Sequence, residues 1–175
     1  TSPGAECQGV SGILCSRRGR FLRETLAAVR QVWPERLPLT LRFGVIEYDG
    51  RDEQTLAEAI DLGQQFRAGG LDFMSVSLGF STPQANIPWG PAFLAPIAER
   101  VRRETGLPVA SAWGFGRPDL AEQAVKSEQL DVVMIGRGHL ENPHWPYHAA
   151  KRLGLDQPAS VLPSPYSHWL ARYAM

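Results

Sequence analysis

Two short stretches carry the residue types that could bind a phosphate: Gly136-Arg137 and Ala112-Trp113-Gly114, each at the end of an apolar run. A glycine lets the backbone approach a ligand closely, and an arginine can donate two hydrogen bonds to phosphate oxygens. Backbone amides at the end of a strand can complete such a site. The pattern indicates phosphate binding at Gly136 and Arg137, although an ordinary strand-end glycine beside a surface arginine would show the same pattern.

Arg42 is a further candidate because it lies inside an apolar strand pattern. A cation there is costly unless an anion or a hydrogen-bonding group meets it. Arg42 therefore either faces a ligand or pairs with a carboxylate such as that of Glu47. Trp113 and Phe115, which lie between glycines at a strand end, could form the wall of an apolar pocket or pack in the core. No set of three metal ligands emerges from the histidines, so we expect no metal site; they are His139, His144, His148 and His168.

The elements that must position these residues alternate between strands and helices. Apolar patterns predict strands over residues 39–46, 71–78, 108–112 and 130–135. Helical patterns start at Phe21, Asp52, Pro91, Pro118 and, capped by Asn142, at Pro143. Strands separated by helices of this length pair in parallel through right-handed crossovers.

An internal repeat favours a barrel over other arrangements of these elements. The segment 37–44 resembles 107–114, and the segment 71–77 resembles 130–136. Such repeated quarters suit a (β/α)8 TIM barrel, of which four units are half. If the strands are five to eight, the two glycine-containing stretches follow strands seven and eight, where barrels often bind phosphate. A doubly wound open sheet is the alternative, but the GxGxxG turn that it favours is absent.

Composition places the chain among soluble globular proteins of one domain. It has 175 residues, 43% of them hydrophobic and 21% charged, with a formal net charge of zero. We therefore expect neither nucleic-acid nor membrane binding, and we interpret the arginines at 17, 18, 20 and 23 as a solvated helix face. Neither an apolar run of membrane-spanning length nor a secretory signal is evident. Cys7 and Cys15 could pair, but the cysteine-free remainder fits a cytoplasmic protein.

Several short motifs are distributed over most of the chain. They are Leu41-Arg-Phe-Gly44, Glu47-Tyr-Asp-Gly50, Gly69-Gly-Leu-Asp72, Asn86-Ile-Pro-Trp-Gly90, Ser111-Ala-Trp-Gly-Phe-Gly116, Val132-Val-Met-Ile-Gly-Arg137 and Asn142-Pro-His-Trp145. Together they resemble the C-terminal half of the Old Yellow Enzyme family, within its xenobiotic-reductase branch. The resemblance spans roughly residues 20–173, and no single motif would suffice for it.

The resemblance implies an FMN-dependent barrel that takes hydride from NAD(P)H and reduces enones or nitro compounds. It implies that Arg42 faces the flavin ring and stabilises its reduced, anionic form. Gly136 and Arg137 would hold the FMN phosphate, assisted by the backbone of residues 112–114. Trp113 would line the substrate side, and Trp169 would lie at the active-site or subunit boundary.

Some features of the family have no counterpart in this sequence. The first four strands are missing, and with them the histidine or His/Asn pair that holds the substrate oxygen and the tyrosine proton donor. We therefore expect residues 1–19 to form a disordered arm, residues 20–155 a half barrel and residues 156–175 a Pro/aromatic tail. Our leading hypothesis is a truncated oxidoreductase that retains no catalytic residue of its own and lacks turnover.

The main alternative is a non-catalytic half-barrel that binds FMN or phosphate weakly. Since half a barrel has two exposed sheet edges and an apolar inner face, we expect a second copy or a complementary half-barrel as partner. A half-barrel that binds a sugar phosphate is a third interpretation. Arg42 and the aromatic loop at Trp113 favour a flat ring as the ligand instead.

Overall fold

The computed structural model describes residues 16–173, in which helices and parallel strands alternate. Most of the predicted arm, and any disulfide between Cys7 and Cys15, lie outside these residues. The helices are α1 (Ser16–Val32), α2 (Asp52–Ala68), α3 (Ala95–Thr105), α4 (Pro118–Lys126), α5 (Arg137–Glu141), α6 (Trp145–Arg152), the 3-10 helix Pro158–Val161 and α7 (Ser164–Leu170). The strands are β1 (Thr40–Ile46), β2 (Phe73–Leu78), β3 (Val109–Ser111) and β4 (Val132–Val133).

The four strands form one parallel sheet in the order β1-β2-β3-β4. The prediction of four parallel strand–helix units in an α/β fold is thus confirmed. The described strands follow one another in space as they do in the chain. A doubly wound sheet reverses this order at a switch point, and none occurs within residues 40–133. The arrangement is compatible with half of a barrel.

One face of the sheet packs against helices. Phe43 of β1 meets Phe66 of α2 edge to face, with ring centroids 5.6 Å apart, so α2 covers the face to which Phe43 points. Helix α3 packs beside α2, because a Cβ atom on Gly63 would lie only 2.8 Å from Cγ2 of Thr105. The core between sheet and helices includes Val45, Met74, Val76, Leu94, Val101 and Val109, each at most 1% exposed.

The opposite face of the sheet is exposed at its two edges, whereas Ser75 and Ala110 between them are buried. The strand register puts Arg42, Ser75, Ala110 and Val132 in one row across this face, because side chains of paired residues point the same way. Arg42 is exposed, and Val132 is 48% exposed. Met134, just beyond β4, is 39% exposed and its sulfur accepts a hydrogen bond from Ser75 Oγ.

The amino ends of β2 and β4 carry the same three-part contact, and this explains the repeated Leu-Asp pair. Asp72 accepts hydrogen bonds from the Leu39 N–H (2.7 Å) and from Arg30 of α1 (2.5 Å). Asp131 accepts hydrogen bonds from the Val109 N–H (2.8 Å) and from Arg102 of α3 (3.0 Å). Each aspartate therefore ties its strand to the preceding strand and to the helix before that strand.

Both aspartates of these clamps have lowered pKa values. The Leu39 N–H is the largest cause for Asp72, followed by Arg30, and both lower its pKa. For Asp131 the largest influence is burial, which raises the pKa, but the hydrogen bonds from Arg102 and Val109 outweigh it and the pKa is lowered. The ionised carboxylates are therefore part of the folded architecture.

Several predicted boundaries differ from the structure. Helix α1 begins at Ser16 and not at Phe21, and α3 begins at Ala95 and not at Pro91. Strand β4 covers only Val132–Val133, and its neighbour β3 has just three residues to pair with. The helix predicted to start at Pro143 is α6, and the short helix α5 before it was not predicted. Asn142 between them is extended (φ −139°, ψ 97°), the conformation that a following proline favours.

No helix within residues 16–173 combines the length and apolar character needed to span a membrane.

Candidate functional site

A cleft of about 370 Å³ lies at the carboxyl ends of the strands. It is lined by all six residues for which the sequence suggests cofactor contacts: Arg42, Ala112, Trp113, Gly114, Gly136 and Arg137. These residues come from three parts of the chain, and the parallel strand order brings them together. Phe115, the other predicted aromatic wall residue, lines it too. Five lining residues were not predicted: Gly116, Met134, Ile135, Gly138 and Glu141. Their signal in the sequence was a position within two residues of a predicted residue or, for Glu141, one helical turn beyond Arg137.

Arg42 reaches the cleft from the middle of β1. Its Nη2 atom donates a hydrogen bond to Ser77 Oγ at 3.0 Å, and no carboxylate pairs with it among residues 16–173. The alternative of an ion pair with Glu47 is therefore wrong for this structure. The buried carboxylate of Glu47 instead accepts hydrogen bonds from Ser81 N–H (3.1 Å) and Ser81 Oγ (2.7 Å). The positive charge of Arg42 is therefore available to a ligand in the cleft.

Trp113 forms one wall of the cleft in a strained backbone conformation. Its φ is +74°, in the left-handed region that residues with a side chain seldom adopt, and Gly114 follows with φ +79°. A Cβ atom on Gly114 would lie 2.6 Å from the backbone nitrogen of Ala92, so this turn packs tightly against the loop before α3. The indole Nε1 of Trp113 is buried and has no hydrogen-bond partner among the described residues. An unsatisfied buried donor costs free energy, and such sites are common where ligands bind.

Gly136 and Arg137 form another wall, between β4 and α5. A Cβ atom on Gly136 would meet nothing within 4 Å, so open space adjoins the backbone there. The guanidinium carbon of Arg137 lies 5.9 Å from the centre of the Trp113 ring, within range of a cation–π contact. Within residues 16–173, Arg137 has no acidic partner. Glu141, one turn later, contributes a carboxylate to the same cleft.

Trp169, the remaining predicted pocket residue, does not line this cleft. It lies on α7, is 72% exposed and has an edge-to-face contact with the ring of His168. Across residues 16–173 we find no group of three or more side chains of His, Cys, Asp or Glu that could hold a metal ion. His144 and His148, which are four residues apart in the chain, are both exposed.

The donor groups of the cleft fit an anionic ligand with a flat ring. Two arginines that have no carboxylate partner within residues 16–173 provide positive charge, and the open space at Gly136 admits a group close to the backbone. Trp113 offers an aromatic wall whose N–H has no partner among the same residues. A phosphate group and an aromatic ring are the kinds of ligand group that such features suit.

Comparison with known proteins finds relatives of this chain that are named NADPH dehydrogenase. The chain is 35% identical over 144 residues to the NADPH dehydrogenase of Geobacillus thermodenitrificans and 34% identical over 144 residues to that of a second Geobacillus. It is 33% identical over 138 residues to the NADPH dehydrogenase of Halalkalibacterium halodurans. The chain is homologous to these NADPH dehydrogenases. No family model matches it.

The matched regions differ greatly in the share of each protein that they cover. The alignments to the two Geobacillus NADPH dehydrogenases include 82% of this chain but only 41% of the relatives. For the Halalkalibacterium protein the shares are 78% and 39%. The chain therefore spans about two fifths of the length of the NADPH dehydrogenases that it matches.

Proposed function

We propose that the chain is the FMN-binding C-terminal half of a (β/α)8 barrel of the Old Yellow Enzyme type, in its xenobiotic-reductase branch. The observation that carries this proposal is the cleft, because six residues from three separate segments converge there. The homology to proteins named NADPH dehydrogenase supports it. When bound, FMN would supply hydride transfer from NADPH to an activated alkene or nitro compound.

The residues of the cleft divide the work of holding such a cofactor. Arg137 and the backbone at Gly136 would hold the phosphate, with the backbone of residues 112–114 beside them. Arg42 would lie along the flavin ring and stabilise negative charge there, since no carboxylate among residues 16–173 neutralises its charge. Trp113 would close the substrate side and exclude water from it. We propose that proton donation and the substrate-oxygen clamp lie outside this chain.

The direct test compares FMN with riboflavin, which lacks the phosphate. We expect the purified chain to bind FMN more tightly than riboflavin, with a perturbed flavin absorption spectrum. Arg137→Gln should weaken FMN binding about 10- to 100-fold, since a hydrogen bond to a charged group contributes roughly 1.5–3 kcal/mol, and should leave riboflavin binding within about 2-fold. Arg36→Gln, at an exposed position before β1, is the matched control. Equal affinity for both flavins would refute the proposal.

Exposed apolar residues at the β4 edge of the sheet support a second candidate function. Val132 and Met134 are apolar yet 48% and 39% exposed at this edge. Exposed apolar groups beside a sheet favour association. The second proposal is a non-catalytic module that binds FMN and associates with a second copy through this edge. Light scattering that gives a monomer mass at micromolar concentration contradicts it, and NADPH oxidation with cyclohexenone by the FMN-loaded chain favours the enzyme.

A further inference from the structure

Three consecutive strands are each followed by an aromatic residue in the same unusual conformation. Tyr48, Phe80 and Trp113 lie two residues beyond the last residues of β1, β2 and β3. Their φ angles are +59°, +55° and +74°. A residue with a side chain is strained in this conformation and keeps it only where the surroundings enforce it. The repetition at one offset shows that the fold holds aromatic side chains in set positions at this end of the sheet.

Glu47 holds the backbone on both sides of Phe80. Its carboxylate accepts two hydrogen bonds from Ser81, at 2.7 and 3.1 Å. It also packs so closely on Gly79 that a Cβ atom there would lie 1.9 Å from Glu47 Oε1. The Gly79 N–H donates to the carbonyl of Ile46 at 3.1 Å. Since Glu47 is only 3% exposed, these contacts anchor the backbone beside Phe80 to the protein interior and fix the position of Phe80.

The aromatic platform, which we define as Phe80, Trp89 and Trp113, is a continuous surface of three rings. The Trp113 centroid lies 5.8 Å from that of Phe80 and 5.4 Å from that of Trp89, with the ring planes tilted by 54° and 56°. Phe80 is 54% exposed and Trp89 is 59% exposed. Trp113 also lines the cleft, so the platform extends the candidate site beyond its arginines.

We propose that the aromatic platform binds the planar aryl group of an electron-poor acceptor, so that the protein favours aryl-substituted nitroalkenes and enones over alkyl ones. This inference rests on the proposed function. An aryl ring conjugated with a nitro or carbonyl group is electron-poor, and the faces of Phe and Trp rings are electron-rich. Rings already tilted by more than 50° offer both a face and an edge to such a ligand.

The proposal distinguishes a planar ring from an equally apolar saturated one. The test measures dissociation constants of trans-β-nitrostyrene and of its cyclohexyl counterpart, 2-cyclohexyl-1-nitroethene, by equilibrium dialysis without NADPH. Trp89→Leu keeps an apolar side chain but removes the aromatic face. We expect it to weaken nitrostyrene binding about 3- to 10-fold and cyclohexyl binding less than about 2-fold, from the strength of aromatic pairs.

Controls separate this inference from the proposed function. Phe80→Leu provides a second variant of the platform, in case Trp89→Leu does not fold. Trp33→Leu, at an exposed tryptophan beyond the end of α1, should change neither constant. Equal weakening of both ligands, or none, overturns the platform even if FMN binds. If nitrostyrene is preferred but FMN does not bind, the proposed cofactor is wrong and the platform stands.

Discussion

The two ends of the sheet satisfy their polar groups in opposite ways. At the amino ends, Asp72 and Asp131 each accept a backbone N–H and an arginine, so donors and charges are matched within the fold. At the carboxyl ends, Trp113 keeps a buried N–H without a partner, and Arg42 and Arg137 have no carboxylate partner among residues 16–173. The polar contacts at the amino ends therefore stabilise the fold, while the unpaired groups at the carboxyl ends remain able to bind a ligand.

Backbone conformation also differs between the carboxyl and amino ends of the strands. The aromatic residues after β1, β2 and β3 have left-handed φ angles. Near the amino end of β4 the structure also has a left-handed residue with a side chain, Glu128, but it is polar and exposed. Strain therefore coincides with aromatic side chains where the cleft lies, as expected when a rigid scaffold positions a binding surface.

Removing one clamp at the amino end should have the largest effect on stability. Asp131→Ala leaves the Val109 N–H, at a fully buried residue, without its partner. It also leaves Arg102 with only its longer ion pair to Glu128, at 3.7 Å. We expect a loss of about 2–3 kcal/mol in the free energy of unfolding, measured by urea denaturation. Asp72→Ala should cost less, since that side chain is 49% exposed. A change no larger than that for the exposed Asp156→Ala would contradict the assignment.

A smaller loss is expected at the carboxyl end from Ser81→Ala. This change removes the 2.7 Å hydrogen bond to the buried Glu47 carboxylate but keeps the one from the backbone N–H. A hydrogen bond to a charged group supports a loss of about 1–2 kcal/mol in unfolding free energy, reduced by water that can reach the exposed position. Ser160→Ala is the control, because its hydroxyl donates only to an exposed backbone carbonyl. Equal unfolding curves for both variants would mean that Glu47 does not depend on Ser81.

Acid should weaken the amino-end clamps by a still smaller amount. Both aspartates have pKa values below the ordinary value near 3.9, so the folded state binds fewer protons than the unfolded state. The stabilisation is present above about pH 4 and is lost as the pH falls through the lower, folded pKa values. As the pH is lowered below about 4, the urea midpoint should therefore decrease more steeply for the wild type than for the double variant Asp72→Asn/Asp131→Asn. Parallel curves would show that the charges contribute nothing.

The smallest effect is expected at Trp169. It is 72% exposed, and its ring contacts only that of its neighbour His168 among the described aromatic residues. It lies four residues before Tyr173, where the described chain ends. Trp169→Ala should change the unfolding free energy by less than about 0.5 kcal/mol, measured by thermal or urea denaturation. A larger change would show that α7 is buried against another molecule or segment in solution.

The sequence predicted the parallel strand order and the residues of the cleft because each rests on a local pattern. Apolar runs separated by helices imply parallel pairing, and glycines beside Trp113 and Arg137 mark the strand ends. The extent of β4 was not predictable, because it depends on how many residues its neighbour offers for pairing. Asn142 was predicted to precede a helix, and it does precede α6. Its extended conformation follows from Pro143, because a proline disfavours a helical conformation at the preceding residue.

The aromatic platform was missed because its members are far apart in the chain. Phe80 and Trp89 lie in the loop between β2 and α3. Trp89 belongs to the motif Asn86–Gly90, but nothing in that motif places it beside Trp113. Only the three-dimensional positions of the strand ends show that both approach Trp113. The buried contact of Glu47 with Ser81 was likewise not evident, since it joins the ends of two different strands across 34 residues.

The packing of Trp89 against Trp113 also has an optical consequence. Two indole rings with centroids 5.4 Å apart and planes tilted by 56° couple their electronic transitions. Such coupling splits the absorption of the pair into two bands of opposite sign in circular dichroism. The circular dichroism of this pair therefore reports on the position of the two rings beside the cleft. A ligand that separates the rings should reduce the signal, because the coupling weakens as the distance between the rings grows.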